Sequence, residues 1–277
     1  MDYQKRFGVK PGSRLHLADI DPAYTHGFKH HKQAQPQLDK DRAHLSRLQE
    51  QLYVAQEPSL LICLQAMDTA GKDGVINHVL GAMNPQGCRV AKFRQPSEEE
   101  AAHDFLWRAH KAAPARGEVV IFNRSHYEDV LVVRVHELVP KKVWSRRYKR
   151  INQFEENLVE HGTRILKFFL HISKEEQLRR FKDRLDDSSK QWKISDADYR
   201  ERGFWDDYLR AYEDALSRCS TADAPWYVIP SDHKWFRNLA VGRIVIEHLE
   251  ALKLGYPKPS VDIGKVREEY QAAKRET

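Results

Sequence analysis

Residues 66–74 (AMDTAGKDG) join an apolar run to a helical pattern through a glycine and a lysine. Leu60 to Leu64 are all apolar, as expected of a parallel strand that is buried on both faces. Strand, tight Gly-Lys turn and helix make the layout of a phosphate-binding loop, in which backbone N–H groups point towards an anion. The pattern therefore predicts phosphate binding by Ala70, Gly71, Lys72, Asp73 and Gly74, with the lysine as a mobile cation.

The loop departs at two positions from the usual pattern G-x-x-x-x-G-K-[ST]. Ala66 stands at the first glycine, and Asp73 stands at the hydroxyl position. Because that hydroxyl normally helps to hold Mg²⁺, another oxygen ligand has to replace it, and Asp68 inside the loop is the natural candidate. An ordinary strand-to-helix turn with a surface lysine is the alternative interpretation.

A second polar cluster, FNRSHYEDVLV at residues 122–132, follows another predicted strand. Ligands of open α/β sheets bind at the carboxyl ends of the strands, so we expect this cluster beside the phosphate loop. Arg124 can grip phosphate oxygens with two parallel hydrogen bonds. Glu128 and Asp129 are candidates for a second metal-holding carboxylate. A polar loop with a buried ion pair is the alternative.

An arginine-rich helix is predicted after the fourth strand, beginning at a capping box of Ser173 and Glu176. We expect residues of about 174–200 to form a lid whose cations, including Arg180 and Arg184, close over the transferring phosphates and exclude water. Apolar spacing places Leu178, Phe181 and Leu185 on one side of this helix and the cations on the others. A charged surface helix is the alternative.

Five short apolar runs alternate with helical patterns, which predicts an α/β fold with a parallel sheet covered by helices on both faces. The predicted strands are Leu60–Leu64, Arg89–Phe93, Glu118–Phe122, Ile165–Ile172 and Trp226–Ile229. The helical patterns that bear on the site are about 38–52, 97–111, 140–161 and 174–185. We expect residues 1–31 to form an N-terminal arm, residues 32–254 the domain and residues 255–277 a tail.

The 277 residues carry a formal net charge of +6, which favours an anionic partner such as nucleic acid, a nucleotide or polyphosphate. The three cysteines lack CxxC spacing and are predicted to be reduced thiols of a cytoplasmic protein. No apolar run approaches ~18 residues, so no membrane span is predicted. The first residues also lack the apolar core of a signal peptide.

With these motifs in place, the chain resembles the polyphosphate kinase 2 family over most of residues 30–255. The resemblance is carried by AMDTAGKDG at 66–74, NPQGCRVAKF at 84–93, FNRSHYEDVLV at 122–132, ILKFFLHISKEEQ at 165–177 and APWYVIP at 224–230. It implies a P-loop kinase-like three-layer sandwich, similar to thymidylate kinases, with a five-stranded parallel sheet and a helical lid. Ala66 and Asp73 fit the family's own variant of the loop motif.

The resemblance also implies an activity, the transfer of phosphoryl groups between inorganic polyphosphate and nucleotides with Mg²⁺, or Mn²⁺ in its place. In the roles it implies, the loop with Lys72 holds polyphosphate, Asp68 and Asp129 hold the metal, and Arg124 and the lid arginines neutralise phosphate charge. A nucleotide phosphate is already a nucleophile, so no strong base is needed. His126 is therefore expected to be a hydrogen-bonding or structural histidine.

Acceptor choice is implied by the residue before the final aspartate of FNRSHYED. Family members with Asn there tend to accept only AMP or only ADP, and those with an acidic residue tend to accept both. Glu128 makes this chain similar to the class III members, which convert AMP and ADP to ADP and ATP. We also expect a homo-oligomer, either a dimer or a tetramer, with no nucleic acid or membrane partner.

Two competing functions remain at this point. An ATP-dependent nucleoside-monophosphate kinase has the same general layout and differs in its donor. A nucleic-acid-binding module is suggested by the positive net charge and would bind without turnover. The carboxylates Asp68, Glu128 and Asp129 among the basic residues argue against the binding module.

Overall fold

The computed structural model describes residues 2–275 of the chain. Met1, Glu276 and Thr277, at the ends of the predicted arm and tail, lie outside the described residues. The strands are β1 Ser59–Ala66, β2 Cys88–Lys92, β3 Val119–Asn123, β4 Thr163–His171 and β5 Trp226–Pro230. The helices are α1 Tyr3–Phe7, α2 His31–Ala55, α3 Lys72–His78, α4 Glu98–Ala102, α5 Trp107–Ala112, α6 Val132–Val135, α7 Lys141–Glu160, α8 Lys174–Asp186, α9 Asp196–Gly203, α10 Trp205–Cys219, α11 Lys234–Ala251 and α12 Ile263–Arg275.

The five strands form one parallel sheet in the order β2-β3-β1-β4-β5. β1 lies in the centre, paired with β3 on one side and β4 on the other, and all eight of its residues are buried. Helices cover both faces of such a sheet, which is why its central strands are mostly apolar. The predicted parallel α/β fold is confirmed, and the loops after β1 and β3 lie side by side at one sheet edge.

The helix predicted from Ser97 to about Lys111 is wrong, because two short helices, α4 and α5, occupy that stretch. A capping box of Ser97 and Glu100 begins α4. Asp104 then interrupts the helix, since its carboxylate accepts a hydrogen bond from Leu106 N at 2.9 Å. A short polar side chain that binds nearby backbone competes with helix formation in this way.

The N-terminal residues pack against the domain, as α1 contributes Tyr3 and Phe7 to the hydrophobic core. Val9 N donates to Trp226 O at 2.8 Å, which attaches the segment to the edge strand β5. At the other end, all described residues of α12 are exposed. Within residues 2–275, no helix combines the length and the apolar character that crossing a bilayer requires.

Candidate active site

The loop between β1 and α3 has the backbone that a phosphate-binding turn requires. Gly71, immediately before α3, has a φ of 110°, and Thr69 has a φ of 65°. Positive φ is uncommon for a residue with a β-branched side chain, and Thr69 therefore marks a local constraint. Lys72 Nζ donates to Ala66 O at 3.2 Å, so its side chain spans the predicted loop from the start of α3 to the end of β1.

Two buried arginines hold the loop from behind. Arg180 of α8 donates to Thr69 O at 2.9 Å and Ala70 O at 3.1 Å, and Arg237 of α11 donates to Ala70 O at 3.0 Å. Arg180 is 4% exposed and Arg237 is 2% exposed. The loop carbonyls are thereby satisfied by guanidinium groups, because irregular buried backbone needs donors from elsewhere in the fold.

Charged side chains from the loops after β1 and β3 meet around Lys72. Arg124 Nη2 lies 3.4 Å from Asp68 Oδ1, and its Nη1 lies 3.8 Å from Glu128 Oε2. Asn123 Nδ2 donates to Asp73 Oδ1 at 2.9 Å, which ties the two loops together. Arg124 has a φ of 60°, so the chain turns sharply after β3. The structure thus brings together the predicted residues of both clusters except Asp129.

Burial dominates the electrostatics of this cluster. It lowers the pKa of Lys72, an effect that the charge of Arg124 reinforces and the carboxylates of Asp68, Glu128 and Asp73 oppose. Burial raises the pKa of Glu128, against the opposing charges of Arg124 and Lys72. Both shifts follow from removing charges from water.

Asp129 lies in different surroundings from its neighbour Glu128. Its Oδ1 accepts from Arg147 Nη1 at 2.8 Å, and its Oδ2 lies 3.6 Å from Arg108 Nη2. The turn at His126–Val130 is a 3₁₀ helix, in which successive side chains point about 120° apart. The carboxylate placed beside Arg124 and Asp68 is therefore that of Glu128, whereas Asp129, which the sequence paired with Asp68, binds two arginines.

The donor set fits a divalent cation of the Mg²⁺ type. Asp68, Asp73 and Glu128 supply carboxylate oxygens, the ligands that such hard cations prefer. In the described part of the chain, no three His, Cys, Asp or Glu side chains form a complete metal cage. Mg²⁺ needs no such cage, because it keeps several waters and takes further ligands from substrate phosphates.

The loops and the lid enclose a cavity of about 900 Å³. Nine lysines and arginines line it, against five aspartates. The cations come from the loop, from the end of β2, from the turn after β3, from the lid and from the start of α11: Lys72, Lys92, Arg94, Arg124, Arg180, Arg184, Lys190, Lys193 and Lys234. The excess of cations indicates a polyanionic ligand.

Only one residue from the apolar side of the lid helix α8, Phe181, is buried. Leu178 and Leu185 are 48% and 47% exposed, whereas Phe181, Gln177 and Arg180 are buried. Gln177 Nε2 donates to Asp68 O at 3.1 Å. Arg180 donates to Thr69 O of the loop and to Ser231 O, which follows β5. The helix faces a backbone that needs donors, so polar contacts outweigh the apolar spacing. Arg184, one turn further along α8, lines the cavity as Arg180 does.

A buried polar network lies behind the acidic turn, and the sequence analysis missed most of it. Glu155 Oε1 accepts from Tyr127 OH at 2.8 Å and lies 3.2 Å from His126 Nε2. Lys167 donates to Glu155, to Tyr127 OH and to Cys219 O. His126 is thus a structural histidine, as expected. The available signal was Lys167 itself, a charged residue inside the apolar strand β4.

A parallel α/β sheet with a phosphate loop after its central strand and a cationic helical lid defines a P-loop kinase-like protein. The chain belongs to the polyphosphate kinase 2 family, whose sequence profile matches residues 29–255. The family predicted from the motifs is therefore confirmed.

Relatives match nearly the whole chain. It is 49% identical over 263 residues to the AMP/ADP-polyphosphate phosphotransferase of Meiothermus ruber, which covers 95% of this chain and 98% of that protein. It is 45% identical over 270 residues to the ADP-polyphosphate phosphotransferase of Rhodopseudomonas palustris, with 92% of each chain covered. The crystal structure of polyphosphate kinase 2 from Arthrobacter aurescens TC1 has a TM-score of 0.92 at 44% identity and covers 95% of each chain.

Proposed function

We propose that the protein transfers phosphoryl groups from inorganic polyphosphate to AMP and ADP, giving ADP and ATP, in a reaction that also runs in reverse. The observation that carries the proposal is the 49% identity, over 95% of the chain, to a protein named AMP/ADP-polyphosphate phosphotransferase. The excess of cations in the cavity supports it, because a polymeric phosphate donor brings one negative charge or more with each phosphate.

The residues of the cavity supply what phosphoryl transfer needs, namely positioning and charge stabilisation. Lys72 and the loop backbone hold the phosphates next to the transferred group. Arg124 lies between Asp68 and Glu128, close enough to Lys72 for the charge of each to act on the other, and neutralises phosphate oxygens there. Arg184 approaches from the lid. The acceptor's own phosphate is the nucleophile, so no side chain has to act as a base.

Mg²⁺ is the metal we propose, with Mn²⁺ as a substitute. Asp68 would hold it from the loop, and Glu128 or Asp129 would hold it from the turn after β3. Bound there, the metal supplies further neutralisation of phosphate charge. Glu128 is the favoured partner, because both oxygens of Asp129 face arginines.

The test is an assay of the purified protein with AMP or ADP as acceptor and polyphosphate or ATP as donor, with Mg²⁺ and with excess chelator. We expect turnover with polyphosphate and Mg²⁺ and none in chelator. Lys72→Ala should lower turnover by several orders of magnitude, each tenfold loss being about 1.4 kcal/mol. Lys149→Ala, which removes an exposed lysine of α7 outside the cavity, is the matched control. AMP phosphorylation by ATP alone would instead identify a nucleoside-monophosphate kinase.

The proposal includes a cytoplasmic protein that self-associates as a dimer or a tetramer. Light scattering of the purified protein measures the number of subunits, and a monomer at working concentration would contradict this part.

A further inference from the structure

A second cavity, of about 460 Å³, lies on the other side of the phosphate loop, between helix α2 and the start of α11. Thr69, Gly71 and Gly74 of the loop line it, as do Arg180 and Lys234. The same five residues also line the larger cavity of the active site. The two cavities therefore meet along the loop, and Lys234 borders both of them.

The second cavity is strongly cationic. Four lysine and arginine side chains of the described structure line it, against one carboxylate, that of Asp39. The cations are Arg42 of α2, Arg180 of α8, and Lys234 and Arg237 of α11. Arg42 and Lys234 are exposed, and neither forms an ion pair with any carboxylate within residues 2–275. These two cations are free to bind an anion.

Arg237 is the most unusual member of this group. It is 2% exposed, and within residues 2–275 its guanidinium donates only to Ala70 O and to the side-chain oxygen of Asn238. Burial lowers its pKa to about 9, and the charge of Arg180 acts in the same direction. Buried charges in proteins are normally paired with an opposite charge. In the described structure this one has no carboxylate partner, so an anion in the cavity would supply the missing charge.

The proposed donor gives a reason for two anion sites in series. A polyphosphate chain extends beyond the phosphates that the loop and Lys72 can hold, and the remaining phosphates need a path away from the reacting end. We infer that the cavity lined by Arg42, Lys234 and Arg237 binds the distal phosphates of a long polyphosphate donor. This inference rests on the proposed function, since it names the path of that donor.

The consequence is a preference for long chains that depends on residues remote from the transferred phosphoryl group. A triphosphate occupies the loop alone, whereas a chain of tens of phosphates also reaches the second cavity. Exposed cations contribute modestly to binding, typically less than ~1 kcal/mol each. We therefore expect moderate changes in kcat/KM that fall mainly on long chains.

Arg42 and Asp39 lie close together on α2, and substitutions at these two positions should change kcat/KM for long polyphosphate in opposite directions. Arg42→Glu should lower kcat/KM for long polyphosphate by about tenfold, and Arg42→Ala by about threefold. Asp39→Asn removes the one carboxylate of the cavity and should raise the same constant by about twofold. For triphosphate, each variant should change kcat/KM by less than it does for long chains, and Arg42→Glu should lower it by no more than about threefold. Arg47→Ala, an exposed arginine of α2 outside the cavity, is the control.

Kinetics with ADP as acceptor and direct binding of each polyphosphate without nucleotide should both be measured. Tighter binding of long chains by wild type, weakened by Arg42→Glu, supports the inference even in a preparation that shows no turnover. Absence of turnover with polyphosphate in wild type would count against the proposed function instead. Equal effects of Arg42→Glu on triphosphate and long chains, or no effect on either, would overturn the inference.

Discussion

The guanidinium of Arg237 lies where a side chain on Gly71 would project. A Cβ atom placed on Gly71 would be 1.7 Å from Arg237 Nη1, and one placed on Gly74 would be 2.6 Å from its Nη2. Atoms that are not bonded cannot approach so closely. The two glycines of the loop therefore make room for the arginine that binds Ala70 O from behind.

The two glycines should differ in their response to alanine. Gly71→Ala meets both the guanidinium and a φ of 110°, so it should cost about 1–3 kcal/mol in backbone strain and lose most turnover. Gly74→Ala meets only the end of a flexible side chain. Replacing Arg237 with Met in the same protein should therefore restore most of the stability lost in Gly74→Ala, whereas in Gly71→Ala it removes the clash and leaves the backbone strain of the positive φ. Thermal unfolding of the four proteins in each double-mutant cycle measures the coupling, and additive losses at Gly74 would contradict the argument.

Arg180 and Arg184, one turn apart on α8, should have separable roles. Arg180 donates to four backbone carbonyls, those of Thr69, Ala70, Ser231 and Asp232, so Arg180→Ala leaves buried acceptors unsatisfied. It should lower the free energy of unfolding by about 2–4 kcal/mol.

Arg184→Ala should instead raise the KM for polyphosphate by about three- to tenfold with little change in the melting temperature, because Arg184 lines the cavity and its guanidinium donates to an exposed lid carbonyl, Lys193 O. Melting curves of both variants measure the loss of stability, and initial rates measure the change in KM. Equal losses of stability would show that the whole helix is a structural support.

The sequence predicted the sheet and the two clusters well, because both depend on local signals. Apolar runs such as β1 and the Gly-Lys turn are contiguous in the chain, and the parallel order brings their ends together. The sequence did not predict the partners of Asp129, since Arg108 and Arg147 lie on separate helices and meet it only after folding. Nor did it predict the buried face of α8, where backbone acceptors of a distant loop override the apolar spacing.

The buried pair of Glu155 and Lys167 should make stability fall in acid. Burial acts to raise the pKa of Glu155, but Lys167 and His126 outweigh it and hold this pKa below its ordinary value of 4.5. A carboxylate whose folded pKa is depressed stabilises the fold above its unfolded pKa, and that stability is lost as the pH falls through the folded pKa. We therefore expect the melting temperature to fall more steeply below about pH 4.5 in wild type than in a variant without the carboxylate.

Glu155→Leu with Lys167→Met is the variant that tests this pair. Glu155→Gln alone leaves a buried cation and should cost about 3–5 kcal/mol at pH 7. The apolar double variant leaves no buried charge but removes the partners of Tyr127 OH and Cys219 O, so it should cost less, about 1–3 kcal/mol. Melting curves from pH 7 to pH 4 compare the three proteins. If the double variant melts with the same pH dependence as wild type, other carboxylates cause the acid sensitivity.

Glu128 and Asp129 are adjacent carboxylates with different partners, and this difference makes a prediction about acceptor choice. Asp129→Asn weakens the contacts to Arg108 and Arg147 that fix the turn, so it should reduce AMP and ADP phosphorylation alike and cost about 2–3 kcal/mol of stability. If Asp129 instead holds the metal, Asp129→Asn should nearly abolish activity, and Mn²⁺ should restore only part of that activity.

Glu128→Asn should act selectively on AMP. The attacking oxygens of AMP and ADP must reach the same place relative to the donor although the molecules differ by one phosphate, so the shorter acceptor needs extra support. Glu128 is the carboxylate placed beside Arg124 and Lys72, where such support would be given. Initial rates for both acceptors should therefore show at least about a tenfold greater loss with AMP than with ADP. Glu128→Gln removes the charge and keeps the length of the side chain. Comparing it with Glu128→Asn therefore separates the effect of charge from the effect of side-chain length. Should both variants lose AMP and ADP activity equally, Glu128 would be a general part of the machinery and acceptor choice would have to be set elsewhere in the cavity.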